Sequence, residues 1–262
     1  MEEGDAMRIV LAHGVLGFGG LGPLKYFNGV EAHLCGQGHD VATAEVNPIG
    51  SVDNRAAKLA DFVSRFAQTR SGPVAIFAHS MGGLDARRAL ARNLSDVRRH
   101  VSALVTIGTP HLGSPVANQI EQGDPAALMR FPMLFELKIN QAALHDLTTT
   151  VATAADTGAQ MTDVDGVRYI HVAGDRAGHG SEVFGDIAEF FDVPEPNDGV
   201  VTVQSASTRR GTLRETIIWP VDHAGLIGWN FDDLQPVGPE RVPNPLADRS
   251  HLARYDALVA ML

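Results

Sequence analysis

Four short segments of the chain are almost continuous in Val, Ile, Leu, Ala and Phe, without a regular alternation of polar and apolar residues. Continuous apolar runs of this length are typical of strands that are buried on both faces of a parallel sheet. Two later segments continue the series, so that we predict about six strands in all. They are RIVLAHG from Arg8, DVATAEV from Asp40, PVAIFAHS from Pro73, VSALVTIGTP from Val101, VRYIHVAG from Val167 and TLRETIIWP from Thr212.

Amphipathic patterns with helical spacing separate these strands. Ser51 or Asp53 is a candidate N-cap for the second of them. Strands that alternate with helices imply right-handed crossovers and a doubly wound α/β fold, with helices on both faces of a mainly parallel sheet. We expect one domain over residues 1–262. The predicted helices cover 24–37, 52–69, 81–94 and an amphipathic stretch at 245–262.

Two stretches, at about 117–150 and 175–197, are longer than ordinary connections. Insertions of this length in a compact α/β domain are usually caps, lids or binding loops. The first contains LMRFPMLFELKI, and we expect it to form a helical cap in which Met129, Phe131 and Phe135 line an apolar pocket. The alternative is a helix packed permanently over the core.

Composition narrows the function. The 262-residue chain is 44% hydrophobic and carries a formal charge of −10, which argues against a nucleic-acid partner. Its one cysteine, Cys35, can form no intramolecular disulfide and is expected to be buried on a helix. The N-terminus MEEGDAMRIVLAHG is acidic where a signal peptide is basic, and no run approaches the ~18 apolar residues of a membrane span. We expect a cytoplasmic chain or the processed form of a secreted one.

Ser80 lies in AHSMGG, a variant of the Gly-x-Ser-x-Gly elbow in which Ala78 replaces the first glycine. The elbow needs small residues two before and two after the serine, because a strained strand-to-helix turn brings backbone close to them. The turn exposes the hydroxyl, and the N-terminus of the next helix favours negative charge near it. Ser80 is therefore a candidate nucleophile, with helix capping as the alternative.

A serine nucleophile needs a histidine base and a carboxylate that orients it, in the chain order Ser, Asp, His. His223 follows the last predicted strand in IIWPVDHAG, and Asp198 lies in the turn-forming segment PNDGVVTV. Asp175 is a rival acid because it also follows a strand. His171 lies within a strand pattern, where packing is the expected role.

Two backbone amides are expected to bind an oxyanion. One belongs to Met81, after the serine, and the other to Val15 or Leu16 in the glycine-rich loop HGVLGFGGLG. No G-x-G-x-x-G in this loop opens a helix after the strand with an acidic residue at the end of the next strand, and there is no Walker lysine, so no nucleotide cofactor is expected. Four residues on loops that follow strands are expected to contact substrate, namely His13, Leu16, His111 and Leu226.

Five segments, VLAHGVLGF, AHSMGG, GTPHLGS, NDGVV and DHAGLIGW, run in this order from Val10 to Trp229. With them the chain resembles bacterial true lipases of the Pseudomonas and Proteus type, in the α/β-hydrolase superfamily. The resemblance implies that Ser80 is the nucleophile, Asp198 the acid and His223 the base, with Val15 and Met81 as oxyanion donors. It favours Asp198 over Asp175.

The chain departs from that family at two points. Gly225 stands where Pseudomonas-type lipases have a calcium-binding aspartate, and one cysteine cannot make their disulfide. We therefore expect no metal. The expected function is hydrolysis of lipid-type carboxylic esters, with transient contact to a lipid interface. The alternatives are a carboxylesterase or polyester hydrolase without interfacial activation, and a catalytically silent protein of the same fold that binds an apolar ligand.

Overall fold

The structure, a computed structural model, describes residues 6–15, 26–123, 125–130, 141–177, 180–207, 215–237, 240–245 and 250–262. Its centre is a six-stranded sheet in the order β2-β1-β3-β4-β5-β6, in which all neighbouring strands are parallel. The predicted sheet is therefore confirmed. Its strands are β1 (Arg8–Ala12), β2 (Asp40–Ala44), β3 (Val74–His79), β4 (Val101–Ile107), β5 (Arg168–Gly174) and β6 (Glu215–Trp219).

Two apolar cores lie on the two faces of this sheet, because successive side chains of a strand point to opposite faces. Along β1, Ile9 and Leu11 enter the larger core, whereas Val10 and Ala12 enter the smaller one. The smaller core is closed by buried side chains of the helices Val52–Thr69 and Met81–Ala91. Burial on both faces explains why the strands read as continuous apolar runs rather than as alternating ones.

The predicted helix at 52–69 is found with the same bounds, and those at 24–37, 81–94 and 245–262 are found with shorter ends in the described residues. The short helix Val203–Ala206 was not predicted. Ser51 is the N-cap of the helix Val52–Thr69, where its hydroxyl accepts a hydrogen bond from the amide of Asn54 at 3.4 Å. No helix in the described ranges combines the length and apolar character that a membrane span requires. The framework helices are Val30–Gly36, Val52–Thr69, Met81–Ala91, Val203–Ala206 and Ser250–Val259.

Both predicted insertions contain helices. The first has Pro115–Gln122, Pro125–Arg130, Gln141–Asp146 and Thr149–Thr157, and the second has Glu182–Phe190. The two insertions touch, because the Arg130 guanidinium pairs with Asp186 at 3.1 Å and lies 5.5 Å from the centroid of the Phe190 ring.

The apolar stretch expected to line a pocket lies mostly outside the described residues, Phe131 and Phe135 included. Met129, which is described, is 83% exposed. Its neighbours in the expected cap lie outside the described residues, so both the cap and the place of Met129 in its pocket remain predictions.

An antiparallel pair of strands, β7 (Trp229–Val237) and β8 (Glu240–Pro245), was absent from the predicted elements. The sequence hides it because proline and acidic residues interrupt its apolar positions, and proline lowers the expectation of a strand. The pair packs on the second insertion, where the amide of Phe231 donates to the Ser181 hydroxyl and Phe184 meets Phe231 edge to face.

The expectation for Cys35 is wrong. Cys35 is exposed on the helix Val30–Gly36, where Val30 and Leu34 form the buried face. A one-residue step rotates a helix by about 100°, which carries position 35 away from that buried face.

Candidate active site

Ser80 occupies a sharp turn between β3 and the helix Met81–Ala91. Its backbone has φ 55° and ψ −131°, a combination that costs a non-glycine residue of order 1–3 kcal/mol. The amide of Ser80 donates to the carbonyl of Ile107 at 2.8 Å, which fixes the turn against β4. Its side chain makes no capping hydrogen bond to the helix, so capping does not account for this serine.

Glycine at position 82 is required by the close approach of β1. A Cβ there would lie 2.5 Å from the carbonyl oxygen of Ala12 and 2.8 Å from that of His13, too close for any side chain. The first turn of the helix therefore presses against the end of β1. This contact gives the physical reason for the small residue expected two positions after the serine.

Asp198 and His223 are joined by two hydrogen bonds. One Asp198 carboxylate oxygen lies 2.7 Å from Nδ1 of His223, and the His223 amide donates to the Asp198 carbonyl at 2.8 Å. The other carboxylate oxygen accepts from the amides of Val200 and Val201 at 2.9 and 2.7 Å. The carboxylate is buried and held in one orientation by these three groups, as the orienting acid of a triad requires.

The rival acid, Asp175, has a local role. Its amide donates to the carbonyl of Trp219 at 2.9 Å, and its carboxylate accepts from the amide of Ala177 at 3.1 Å. It closes a turn at the end of β5, whereas Asp198 reaches the histidine ring.

Two glycines at strand ends make room for this pair. A Cβ at Gly174 would lie 2.7 Å from the Cβ of Asp198, and one at Gly108 would lie 3.2 Å from the Asp198 carboxylate. Gly108 also has φ 56°, so both its conformation and its surroundings favour glycine. Because β3, β4 and β5 are parallel, their C-terminal ends bring Ser80 and the Asp198–His223 pair to one edge of the sheet.

The loop after β1 lies directly against the serine. A Cβ at Gly14 would be 2.7 Å from the Cβ of Ser80 and 3.1 Å from its hydroxyl oxygen. The next residue of the loop is Val15. Met81 is the first residue of the helix that follows the serine, so its amide is one of those that find no acceptor inside the helix. Val15 directly follows Gly14, which contacts the serine, and Met81 directly follows the serine. Both predicted oxyanion donors therefore lie next to the serine turn. Leu16 lies outside the described residues.

A buried ion pair holds this loop in place. Arg55 donates to Asp85 at 2.8 Å, to the carbonyl of Asn47 at 2.6 Å and to the carbonyl of His13 at 2.6 Å. Burial raises the pKa of Asp85 to about 7, although Arg55 opposes the rise. Burial also lowers the pKa of His13 to about 4, and Arg55 adds to the decrease. The sequence patterns did not single out Arg55 or Asp85, since their bond joins two helices.

Two other residues expected to contact substrate, Leu226 and His111, have different surroundings. Leu226 is buried beside Asp198 and His223. A Cβ on Gly108 would lie 2.5 Å from Leu226, 3.2 Å from Asp198 and 3.4 Å from His223. His111 is also buried, but its ring nitrogens lie 3.1 Å from Arg87 and 3.1 Å from Thr106. These partners favour a structural role for His111.

Sequence reasoning missed Phe184, whose ring centroid lies 6.5 Å from that of His223. It is buried on the helix Glu182–Phe190 of the second insertion, and a Cβ on Gly199 would collide with it at 2.6 Å. The amphipathic pattern EVFGDIAEFF was the available signal. Only the fold could show that its apolar face packs beside the histidine.

Asp222, next to the histidine, anchors its loop. Its carboxylate accepts from the amide and hydroxyl of Ser181 at 2.5 and 2.8 Å and from the amide of Gly225 at 2.6 Å. Burial raises the pKa of Asp222. Within the described ranges, no group of three or more His, Cys, Asp or Glu side chains is placed to hold a metal ion.

Sequence comparison gives relatives of the chain. A model of the lecithin:cholesterol acyltransferase family matches residues 51–151, which include the elbow. Triacylglycerol lipase 2 of Saccharomyces cerevisiae is 26% identical over 223 residues, covering 79% of this chain and 63% of the relative. The triacylglycerol lipase of Vibrio cholerae is 33% identical over 141 residues, covering 53% of this chain and 44% of the relative. The chain thus spans less than two thirds of either relative.

Structural comparison identifies the fold. The mature lipase BlEst2 of Bacillus licheniformis superposes with a TM-score of 0.69 at 22% identity, covering 85% of this chain and 86% of that one. The chain has the α/β-hydrolase fold, and it is related to lipases and esterases of that type. Its resemblance to the Pseudomonas and Proteus subgroup stays a prediction.

Proposed function

We propose that this protein hydrolyses carboxylic esters, with Ser80 as nucleophile, His223 as general base and Asp198 as the acid that orients the base. The observation that carries the proposal is the 2.7 Å contact between Asp198 and Nδ1 of His223, at the sheet edge where Ser80 adopts its strained turn. A carboxylate on Nδ1 fixes the tautomer in which Nε2 is free to accept a proton.

In the proposed reaction, the Ser80 oxygen attacks the ester carbonyl carbon while Nε2 of His223 takes the hydroxyl proton. The negative charge moves to the carbonyl oxygen, where the amides of Val15 and Met81 donate hydrogen bonds. The carbonyl re-forms, the alcohol leaves with the proton from His223, and an acyl-serine remains. Water then attacks the acyl group with the same proton transfers and releases the acid.

We infer that the acyl part of the substrate is apolar. The buried side chains beside the histidine, Phe184 and Leu226, offer hydrocarbon contacts rather than charges. Each CH₂ that enters such a site contributes about 0.8 kcal/mol, so longer acyl chains gain severalfold per carbon until the site is full. The names of both curated relatives support a triacylglycerol substrate, and the five motifs support the Pseudomonas and Proteus branch.

The test compares p-nitrophenyl esters of short and long acids with emulsified triglyceride, for wild type and Ser80→Ala. We expect wild-type rates to rise with chain length and to persist on the emulsion, and Ser80→Ala to lose several orders of magnitude of activity. Ser71→Ala, at an exposed serine, is the matched control and should keep full activity. Activity on short soluble esters alone would identify a carboxylesterase, and equal rates in wild type and Ser80→Ala would disprove the proposal.

A further inference from the structure

His79, the residue before Ser80, is completely buried and lies against His223. Its Nε2 is 3.1 Å from the carbonyl oxygen of His223, and the two ring centroids are 4.6 Å apart. Its Nδ1 lies 2.7 Å from the hydroxyl of Tyr26. Both ring nitrogens of a histidine outside the proposed triad therefore have partners, and one of them is the main chain of the proposed base.

The direction of these bonds follows from the groups involved. A carbonyl oxygen can only accept, so Nε2 of His79 carries the hydrogen. A neutral ring then has an unprotonated Nδ1, which accepts from the Tyr26 hydroxyl. Burial lowers the pKa of His79, and the neighbouring His223 ring lowers it further, so the ring stays neutral. This state suits the site, because a second cation would oppose the imidazolium that forms on His223.

Tyr26 connects His79 to the loop after β1. Burial raises the pKa of Tyr26, so its hydroxyl stays protonated and donates to Nδ1 of His79. The hydroxyl oxygen lies 2.7 Å from the position of a Cβ on Gly14. Trp229 fixes Tyr26 from the other side, because its indole N–H donates to the Tyr26 carbonyl at 2.9 Å.

We propose that Tyr26 and His79 are positioning residues that connect the oxyanion loop to the general base, through the contact of Tyr26 with Gly14 and the hydrogen bonds from the Tyr26 hydroxyl to His79 and from His79 to the His223 carbonyl. The inference rests on the proposed function. These contacts hold the backbone of His223 and Gly14, the residue before Val15, in one register. Displacement of either by about 1 Å costs of order 10²-fold in rate.

Matched amide variants separate positioning from packing. In His79→Gln, the side-chain NH₂ reaches the place of Nε2 and the amide oxygen can accept from Tyr26, so both bonds are retained. In His79→Asn the shorter side chain leaves the His223 carbonyl without this donor. We expect kcat to fall about 100-fold in His79→Asn and less than about fivefold in His79→Gln, with KM little changed in both.

Tyr26→Phe tests the other link and serves if His79→Asn fails to fold. It removes only the hydroxyl, and we expect about a 10-fold to 100-fold loss of kcat at unchanged KM. Tyr169→Phe is the matched control, because Tyr169 is a buried tyrosine in the other core. Equal kcat values in Tyr26→Phe and wild type, or equal losses in His79→Asn and His79→Gln, would overturn the proposal.

A measurement without substrate separates this proposal from the proposed function. In ¹⁵N-labelled protein, we expect His79 to show a protonated Nε2 and an unprotonated Nδ1 from pH 8 to pH 5. Tyr26→Phe should mix the two tautomers. A protonated Nδ1 in wild type would reverse the bond directions and overturn the inference. Absence of esterase activity together with the expected tautomer would instead reject the proposed function and leave the hydrogen-bond chain standing.

Discussion

Two pairs of buried histidines lie in the sheet region, and they differ in what surrounds them. His79 and His223 have ring centroids 4.6 Å apart, and His111 and His171 have centroids 5.0 Å apart. All four residues are buried, and His79 and His171 lie on β3 and β5. Burial and proximity alone therefore do not distinguish the proposed base from its counterparts.

The partners of the ring nitrogens make the difference. Nδ1 of His223 faces the Asp198 carboxylate, which stabilises a positive ring. Nδ1 of His111 faces the guanidinium of Arg87, and His111 and His171 share the hydroxyl of Thr106 at 3.1 and 2.6 Å. A guanidinium opposes a second cation, so His111 is unsuited to accept a catalytic proton. Only the first pair combines a carboxylate with a neighbouring strained serine.

The sharpest test of this comparison removes the carboxylate. Asp198→Asn keeps the shape of the side chain but favours the wrong tautomer of His223, and we expect kcat to fall by about 10⁴-fold, as in the reference serine-protease triad. The measurement is kcat on a soluble p-nitrophenyl ester. Asp175→Asn is the control and should remain within about twofold of wild type. A large loss in Asp175→Asn with normal activity in Asp198→Asn would reverse the assignment.

The second test addresses the other histidine pair. Arg87→Met leaves the buried carboxylate of Asp156 without the guanidinium that lies 2.6 Å from it, and we expect the free energy of unfolding to fall by about 3–5 kcal/mol. Urea unfolding measures the loss. The kcat of the folded fraction should stay within about threefold of wild type. Loss of kcat without loss of stability would show that this cluster also serves the reaction.

These pairs also show how far the sequence could be interpreted. The elbow and a candidate triad could be proposed from the sequence because each depends on short segments in a fixed order, and the sheet could be predicted because buried strands have continuous apolar runs. The role of His111 could not be predicted from the sequence, because its bond to Arg87 joins residues that no local pattern relates. Phe184 and the β7–β8 pair were not predicted from the sequence for the same reason. Their position depends on how the insertions pack.

The third test concerns pH and His13, whose pKa burial lowers to about 4. As pH falls from 6.5 to 4, the unfolded chain takes up a proton at this histidine and the folded chain does not. Stability therefore decreases with falling pH in this window, by up to about 3 kcal/mol. His13→Gln removes this contribution, so its unfolding free energy should decline less over the same window.

Asp85 acts in the opposite direction, because a pKa raised to about 7 lets the folded chain keep a proton that the unfolded chain loses above about pH 4. Its contribution is common to wild type and variant and cancels in the difference. Denaturant unfolding at pH 7, 5.5 and 4 gives that difference, with the exposed His145→Gln as control. Parallel curves for wild type and His13→Gln would contradict the assigned pKa.

The smallest expected effect is that of a chelator. Calcium binds six to eight oxygen ligands, several of them carboxylates. Here Gly225 stands where Pseudomonas-type lipases have their calcium-binding aspartate, and the nearby Asp222 carboxylate is already bonded to Ser181 and Gly225. A calcium site filled at 100 times its Kd would add about 2.7 kcal/mol, which corresponds to several degrees of Tm for a chain of this size. We expect EDTA to shift Tm by less than about 1 °C and to leave ester hydrolysis unchanged.

A drop of many degrees that calcium reverses would require other carboxylates, with Asp186 and Asp192 of the second insertion as the first to replace by asparagine. Asp186 already pairs with Arg130, so such a result would also mean that calcium displaces this arginine.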